Sequence, residues 1–176
     1  MKGDEVLICS GTGFADSLSA ASTGRPILLV RNQLQDRQKE YLNTLKGKTF
    51  YVIGGSGAVS DAVMAQVGSY GKVSRVDGTN RYETSANVAG TFFNHPAAGV
   101  LAFGGSFPDG LCGGLLAYSM DAPLLLVVNG RSKAAADYAA KSGMSYGAVL
   151  GGPGLIDNAT AKSVFGLDSN ADIVIR

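Results

Sequence analysis

Histidine, tryptophan and cysteine are nearly missing from this 176-residue chain, which holds one His, no Trp and two Cys. A single His excludes His-cluster metal sites and leaves little for His-based general-base chemistry. It lies in Asn94-His95-Pro96, a helix-to-strand corner, and reads as a surface loop residue. Cys9 and Cys112 form neither a disulfide scaffold nor a Cys-x-x-Cys metal motif. They are expected to pack as buried small hydrophobes, with a bridge between them as the alternative. Charge is also sparse: 16% of residues are charged, against a usual share of about 25%. Lys and Arg number 15 against 14 Asp and Glu, which argues against a whole-domain electrostatic grip on nucleic acid. An anionic partner must then be met by a local patch. No apolar run reaches the roughly 18 residues that span a bilayer, and Met1-Lys2-Gly3-Asp4 does not open a signal peptide.

What the chain does have is apolar residues, 45% of the total, and 25 glycines. That composition excludes disorder and points to a packed core with many tight turns. The length suits one domain or two small ones. Short β-branched runs read as strands at Val6–Cys9, Ile27–Val30, Phe50–Ile53, Val73–Val76, Val100–Phe103, Leu124–Val128, Ala148–Leu150 and Ile173–Ile175. Several are apolar continuously, as expected of parallel strands covered on both faces. Helical stretches fall between them near 14–23, 34–46, 59–68, 81–93, 107–119, 131–142 and 155–165. Strict strand–helix alternation predicts an α/β fold with mostly parallel sheets and helices on both faces.

The chain also repeats itself. Gly13-Phe14-Ala15-Asp16-Ser17-Leu18 returns as Ser106-Phe107-Pro108-Asp109-Gly110-Leu111, and Pro26-Ile27-Leu28-Leu29-Val30 returns as Pro123-Leu124-Leu125-Leu126-Val127. Val52-Ile53-Gly54-Gly55-Ser56-Gly57 returns as Val149-Leu150-Gly151-Gly152-Pro153-Gly154. Three landmarks in one order indicate two tandem, duplicated Rossmann-like modules, residues 1–78 and 79–176.

Gly11-x-Gly13-x-x-Asp16 imitates a dinucleotide fingerprint, but an aspartate stands where the third glycine should allow close helix packing. Asp16 and its counterpart Asp109 are instead expected to cap helix N-termini. Neither Gly-Gly turn is followed by Lys-Ser/Thr, which excludes a P-loop. Pro153 lacks an amide donor, whereas Ser56 and Gly57 retain theirs and are candidate donors to an anion. There is no nucleophile elbow, no His-Glu-x-x-His and no metal-ligand cluster. No catalytic residue, metal or cofactor is therefore assigned.

The most distinctive segment is Arg75-Val76-Asp77-Gly78-Thr79-Asn80-Arg81-Tyr82-Glu83-Thr84-Ser85-Ala86. Asn80 is a candidate N-cap, with Glu83 placed as in a capping box. Arg75 and Arg81 either pair with neighbouring carboxylates or offer their guanidinium forks to a phosphate or carboxylate ligand. Tyr82 beside them is a candidate for stacking on a sugar.

These segments, with Val52-Ile53-Gly54-Gly55-Ser56-Gly57-Ala58-Val59-Ser60, closely resemble the cell-wall-binding repeat type 2 family of Gram-positive surface proteins. The likeness runs over essentially the whole chain in two repeats. It implies a secreted, non-catalytic module at the cell wall or cell surface. Its partner would be an anionic wall polymer, teichoic-acid-like or another secondary wall polysaccharide. Ligand contacts fall to Arg75, Arg81, Tyr82, Ser56 and Gly57. Family members typically carry three repeats, so this chain reads as a fragment of a longer secreted protein and as a possible homo-oligomer. Pro108 and Gly110, in place of Ala15 and Ser17, put equal binding by the second repeat in question. The competing readings are a nucleotide- or sugar-phosphate-binding α/β enzyme domain, and a structural spacer whose arginines brace the junction.

Overall fold

The computed structural model describes residues 3–168 and residue 170. Along them the chain runs β1 (Glu5–Ser10), α1 (Ala15–Ala21), β2 (Ile27–Val30), α2 (Asp36–Thr44), β3 (Thr49–Ile53), α3 (Asp61–Gly68) and β4 (Lys72–Val76). It continues with α4 (Arg81–Phe92), β5 (Ala98–Phe103), α5 (Pro108–Ser119), β6 (Leu124–Val127), α6 (Lys133–Ser142), β7 (Tyr146–Leu150) and α7 (Asn158–Phe165). The strand expected at Ile173–Ile175 lies outside the described residues. The strands form two sheets, ordered β2-β1-β3-β4 and β6-β5-β7, and every pairing in both is parallel.

Each central strand shows why its sequence is apolar without interruption. Val6 and Ile8 of β1 enter one core cluster, while Leu7 and Cys9 enter the cluster on the opposite face. In β5, Leu101 faces one core and Val100 and Ala102 face another. Successive side chains of a strand point to opposite faces, so both faces of each sheet are buried under helices. Each large side chain so buried contributes roughly 1.5–3 kcal/mol.

The two halves join through helices. Leu18 of α1 sits over Gly110 of α5, and a Cβ on Gly110 would lie 2.6 Å from its Cδ1. Ala21 lies against Gly114 in the same way, 2.8 Å from where a Cβ would stand. Glycines on α5 therefore let α1 approach at a distance that larger side chains would forbid. The buried Ser85 hydroxyl of α4 accepts the Leu126 N–H of β6 at 3.0 Å, which closes the outer edge of that strand. The linker into α4 is tied down as well: Gly78 N–H donates to Thr84 Oγ1, and Asn87 Nδ2 donates to the Asp77 carbonyl.

Cys9 packs as expected, and Cys112 does not. Both are free, so no bridge forms, and only Cys9 is buried. Burial pushes its thiol pKa far up, with the nearby Asp16 carboxylate adding to the rise. Cys112 is exposed because it shares the outward face of α5 with Leu111, Leu115 and Tyr118, away from the glycine face that meets α1. Leu115 is 74% exposed.

Candidate functional site

Parallel strands that end together leave a crevice at their carboxyl ends, and β1 and β3 do so beside the start of α4. The crevice is a cleft of about 570 Å³ lined among others by Thr12, Asp16, Gly57, Asn80 and Arg81. Asp16 and Arg81 reach it from elements whose order in the sequence is unrelated.

Arg75 does not reach the cleft as a contact. It lies on β4 in register with Val52 of β3, which aims its side chain beneath the Gly54–Val59 loop. There its guanidinium donates to the Gly54 carbonyl at 2.6 Å, the Val59 carbonyl at 2.9 Å and Asp61 Oδ1 at 2.9 Å. With its side chain only 15% exposed, Arg75 is a brace for the loop, and its expected role as a ligand contact is corrected accordingly. Tyr82 is likewise diverted. Its ring is half-buried against the β5–β6 core and lies over Gly104, where a Cβ would come within 2.5 Å of Cε1. A ring so engaged is a packing residue.

Arg81 has the opposite placement. It is exposed at the start of α4, donates one hydrogen bond to the Gly104 carbonyl at 2.7 Å, and lies 5.2 Å from the centroid of the Phe14 ring. That ring stands 6.1 Å from its repeat counterpart Phe107. One anchor and one ring hold the guanidinium, and among the described residues its other donors carry no hydrogen bond. Ser56 and Gly57 are both exposed on the braced loop, and among the described residues their amide N–H groups carry no hydrogen bond. Gly57 lines the cleft, and Ser56 lies next to it outside the lining.

The expected caps divide in the same way. The Asn80 side chain accepts the amides of Tyr82 and Glu83 and so caps α4. Glu83 reaches back one residue further than a capping box would, accepting from the amide and hydroxyl of Thr79. Those bonds hold its carboxyl below the usual carboxylate range. Asp16 and Asp109 are not caps. The N-cap positions of α1 and α5 are Phe14 and Phe107, and neither helix has a side-chain cap. Each aspartate sits two residues past the N-cap, within the first turn, and points across to the end of the third strand of its own half. Asp16 Oδ2 would lie 2.3 Å from a Cβ on Gly54, and Asp109 Oδ2 would lie 3.1 Å from one on Gly151. Both glycines have positive φ, 99° and 107°, a conformation that side chains disfavour. The first glycine of each Gly-Gly pair therefore makes room for an aspartate. The repeated Asp and Gly-Gly were visible in the sequence, but their approach was not.

Among the described residues, no group of His, Cys, Asp and Glu is arranged to hold a metal ion, and no helix is long and apolar enough to cross a membrane.

With this geometry in place, comparison with known proteins is informative. The model of the cell wall binding domain 2 family matches residues 2–64 and 75–161. The chain belongs to that family. Among curated relatives, the amidase enhancer of Bacillus subtilis is 31% identical over 147 residues, spanning 81% of this chain and 20% of the relative. N-acetylmuramoyl-L-alanine amidase LytC of Bacillus subtilis is 34% identical over 89 residues, 47% of this chain and 18% of the relative. This cell wall binding domain thus spans a fifth or less of the curated relatives it matches, and neither name transfers an activity to it. Solved structures share its fold. Cwp8 from Clostridium difficile superposes with a TM-score of 0.78 at 23% identity, covering 94% of this chain and 30% of that one. Cwp6 from Clostridium difficile gives 0.74 at 25% identity, covering 96% and 28%.

Proposed function

We propose that this cell wall binding domain is a non-catalytic anchor of a secreted surface protein, retained at the cell wall by an anionic secondary wall glycopolymer of the teichoic-acid or wall-polysaccharide kind. In this reading residues 1–78 and 79–176 are successive repeats. The observation that carries it is the Arg81 guanidinium, exposed at the cleft mouth and held by one carbonyl and one ring. The unbonded amides of Ser56 and Gly57 supply further donors on the loop beside it. Phosphate or carboxylate groups along a polymer fit such donors, and repeated weak contacts on one strand raise overall affinity. Asp16 weighs against the nucleotide-binding alternative: its carboxylate stands where a pyrophosphate would need to approach the loop.

The test is sedimentation of the chain with wall sacculi before and after removal of secondary polymer. Binding is expected only to intact sacculi and is expected to weaken as salt rises. Arg81→Ala should weaken it about tenfold, while the melting temperature drops by no more than about 2–4 °C. Equal binding to stripped sacculi overturns the reading, as does binding that ignores both salt and Arg81→Ala.

A further inference from the structure

The cleft holds a second polar group that the anchoring reading leaves unused. Asp16 is half-buried beside Gly54, and among the described residues its carboxylate makes no hydrogen bond and no ion pair. The N–H of Gly54 is committed elsewhere, donating to the Val76 carbonyl at 2.9 Å. Some of its neighbours are paired among themselves: Ser10 and Thr12 hydrogen-bond each other, and Asn80 and Glu83 close their own network. A carboxylate taken partly out of water without donors is a cost to the fold. Arg81 offsets that cost electrostatically but does not remove it, and burial still raises the Asp16 pKa. The arrangement is no accident of one loop. In the second half Asp109 faces Gly151 in the same manner, again without a hydrogen bond.

We propose that Asp16 is a sugar-recognising residue, whose carboxylate accepts hydrogen bonds from the hydroxyl or amino groups of one uncharged or amino sugar unit of the wall polymer while Arg81 holds an adjoining acidic group. The inference rests on the anchoring reading and adds to it a division of labour. A carboxylate repels phosphate, so it cannot serve the same moiety as Arg81; it requires donors, and sugar hydroxyls provide them in adjacent pairs. A metal ion is a poor occupant, because among the described residues no three His, Cys, Asp or Glu side chains gather there to hold one. Gly54, with no side chain, leaves the carboxylate the space that a Cβ would take.

The test uses the 176-residue chain, secondary polymer purified from sacculi, and the neutral and amino monosaccharides from that polymer's own hydrolysate. Asp16→Asn keeps size and shape but exchanges one acceptor oxygen for a donor. It should weaken polymer binding about tenfold, leave the salt dependence as in wild type, and keep or raise the melting temperature. The monosaccharides should compete for the wild type and lose that effect with the variant. A merely structural role would lower stability and binding together. Wild-type affinity in Asp16→Asn, with Arg81→Ala impaired, overturns the sugar contact and leaves the anchor standing. Failure of the wild type to bind purified polymer overturns both.

Discussion

Replacing Arg75 with methionine keeps most of its stem but removes the donors that hold the Gly54 and Val59 carbonyls and Asp61. The expected loss is about 1–3 kcal/mol, read in a melting curve at about 2–4 °C per kcal/mol for a chain of this size. Polymer binding by the folded fraction should fall less than with Arg81→Ala, which separates a brace from a contact. Asp16 predicts a pH effect of definite sign. Its folded pKa lies above the ordinary value of 3.8 because of burial, so its contribution to stability is fully present below that value and is lost as pH rises through the folded pKa. Asp16→Asn should therefore gain stability relative to wild type on going from acid to neutral pH, as measured by melting temperature across that range. Glu83 carries the opposite sign: held low by Thr79, it supports the fold above its unfolded pKa and loses that support as pH falls through its folded one. At this scale the sequence is a weak guide. Arg75 and Arg81 flank one short segment and read alike, yet strand register sends the first under a loop and leaves the second exposed. Asp16 resembles a cap locally, and only the return of β3 beside α1 reveals that it faces Gly54.

Helices respond to glycine according to what lies opposite. A Cβ on Gly114 in α5 would lie 2.8 Å from that of Ala21, and Ala21 has no rotamer with which to yield. Gly114→Ala should destabilise by about 1–3 kcal/mol, although alanine is the better helix former by about 1 kcal/mol. Gly90 in α4 has nothing within 4 Å, so Gly90→Ala should stabilise by about 0.5–1 kcal/mol. Urea titrations of the two variants give the comparison its test; equal signs would dissociate the seam from the α1–α5 approach. Elements were largely legible beforehand. The seven strands found among the described residues overlap the expected ones: burial on both faces writes the central strands β1 and β5 as apolar runs, whereas the edge strand β4, Lys72–Val76, alternates polar and apolar residues. The exposed side of α5 was not legible. Cys112 reads as a buried small residue in an apolar stretch, yet it is exposed, because which face a helix turns inward is decided by its partner, here α1 against the glycines of α5.

For the whole molecule, duplication was the clearest signal, since three landmarks recurring in order fix two similar units before any coordinate is seen. How the units meet was beyond it, because the Leu18–Gly110 and Ala21–Gly114 contacts join residues with no local pattern in common. The outward stripe of Leu111, Leu115 and Tyr118 is a contiguous apolar patch of the kind that marks contact surfaces. Association of copies through it should appear in light scattering as a mass above 18.0 kDa that grows with concentration, and Leu115→Lys should return it to that of one chain. An unchanged mass in the variant would exclude this face.

The short passage from β4 into α4 is folded back on the helix it feeds, through Gly78 to Thr84, Thr79 to Glu83 and Asp77 to Asn87. A tether built this way has no slack to reel out. Tension drawn along the chain of a wall-held protein passes at once into α4, and from there into a sheet edge and a neighbouring core, so the joint between repeats yields only when part of a module does.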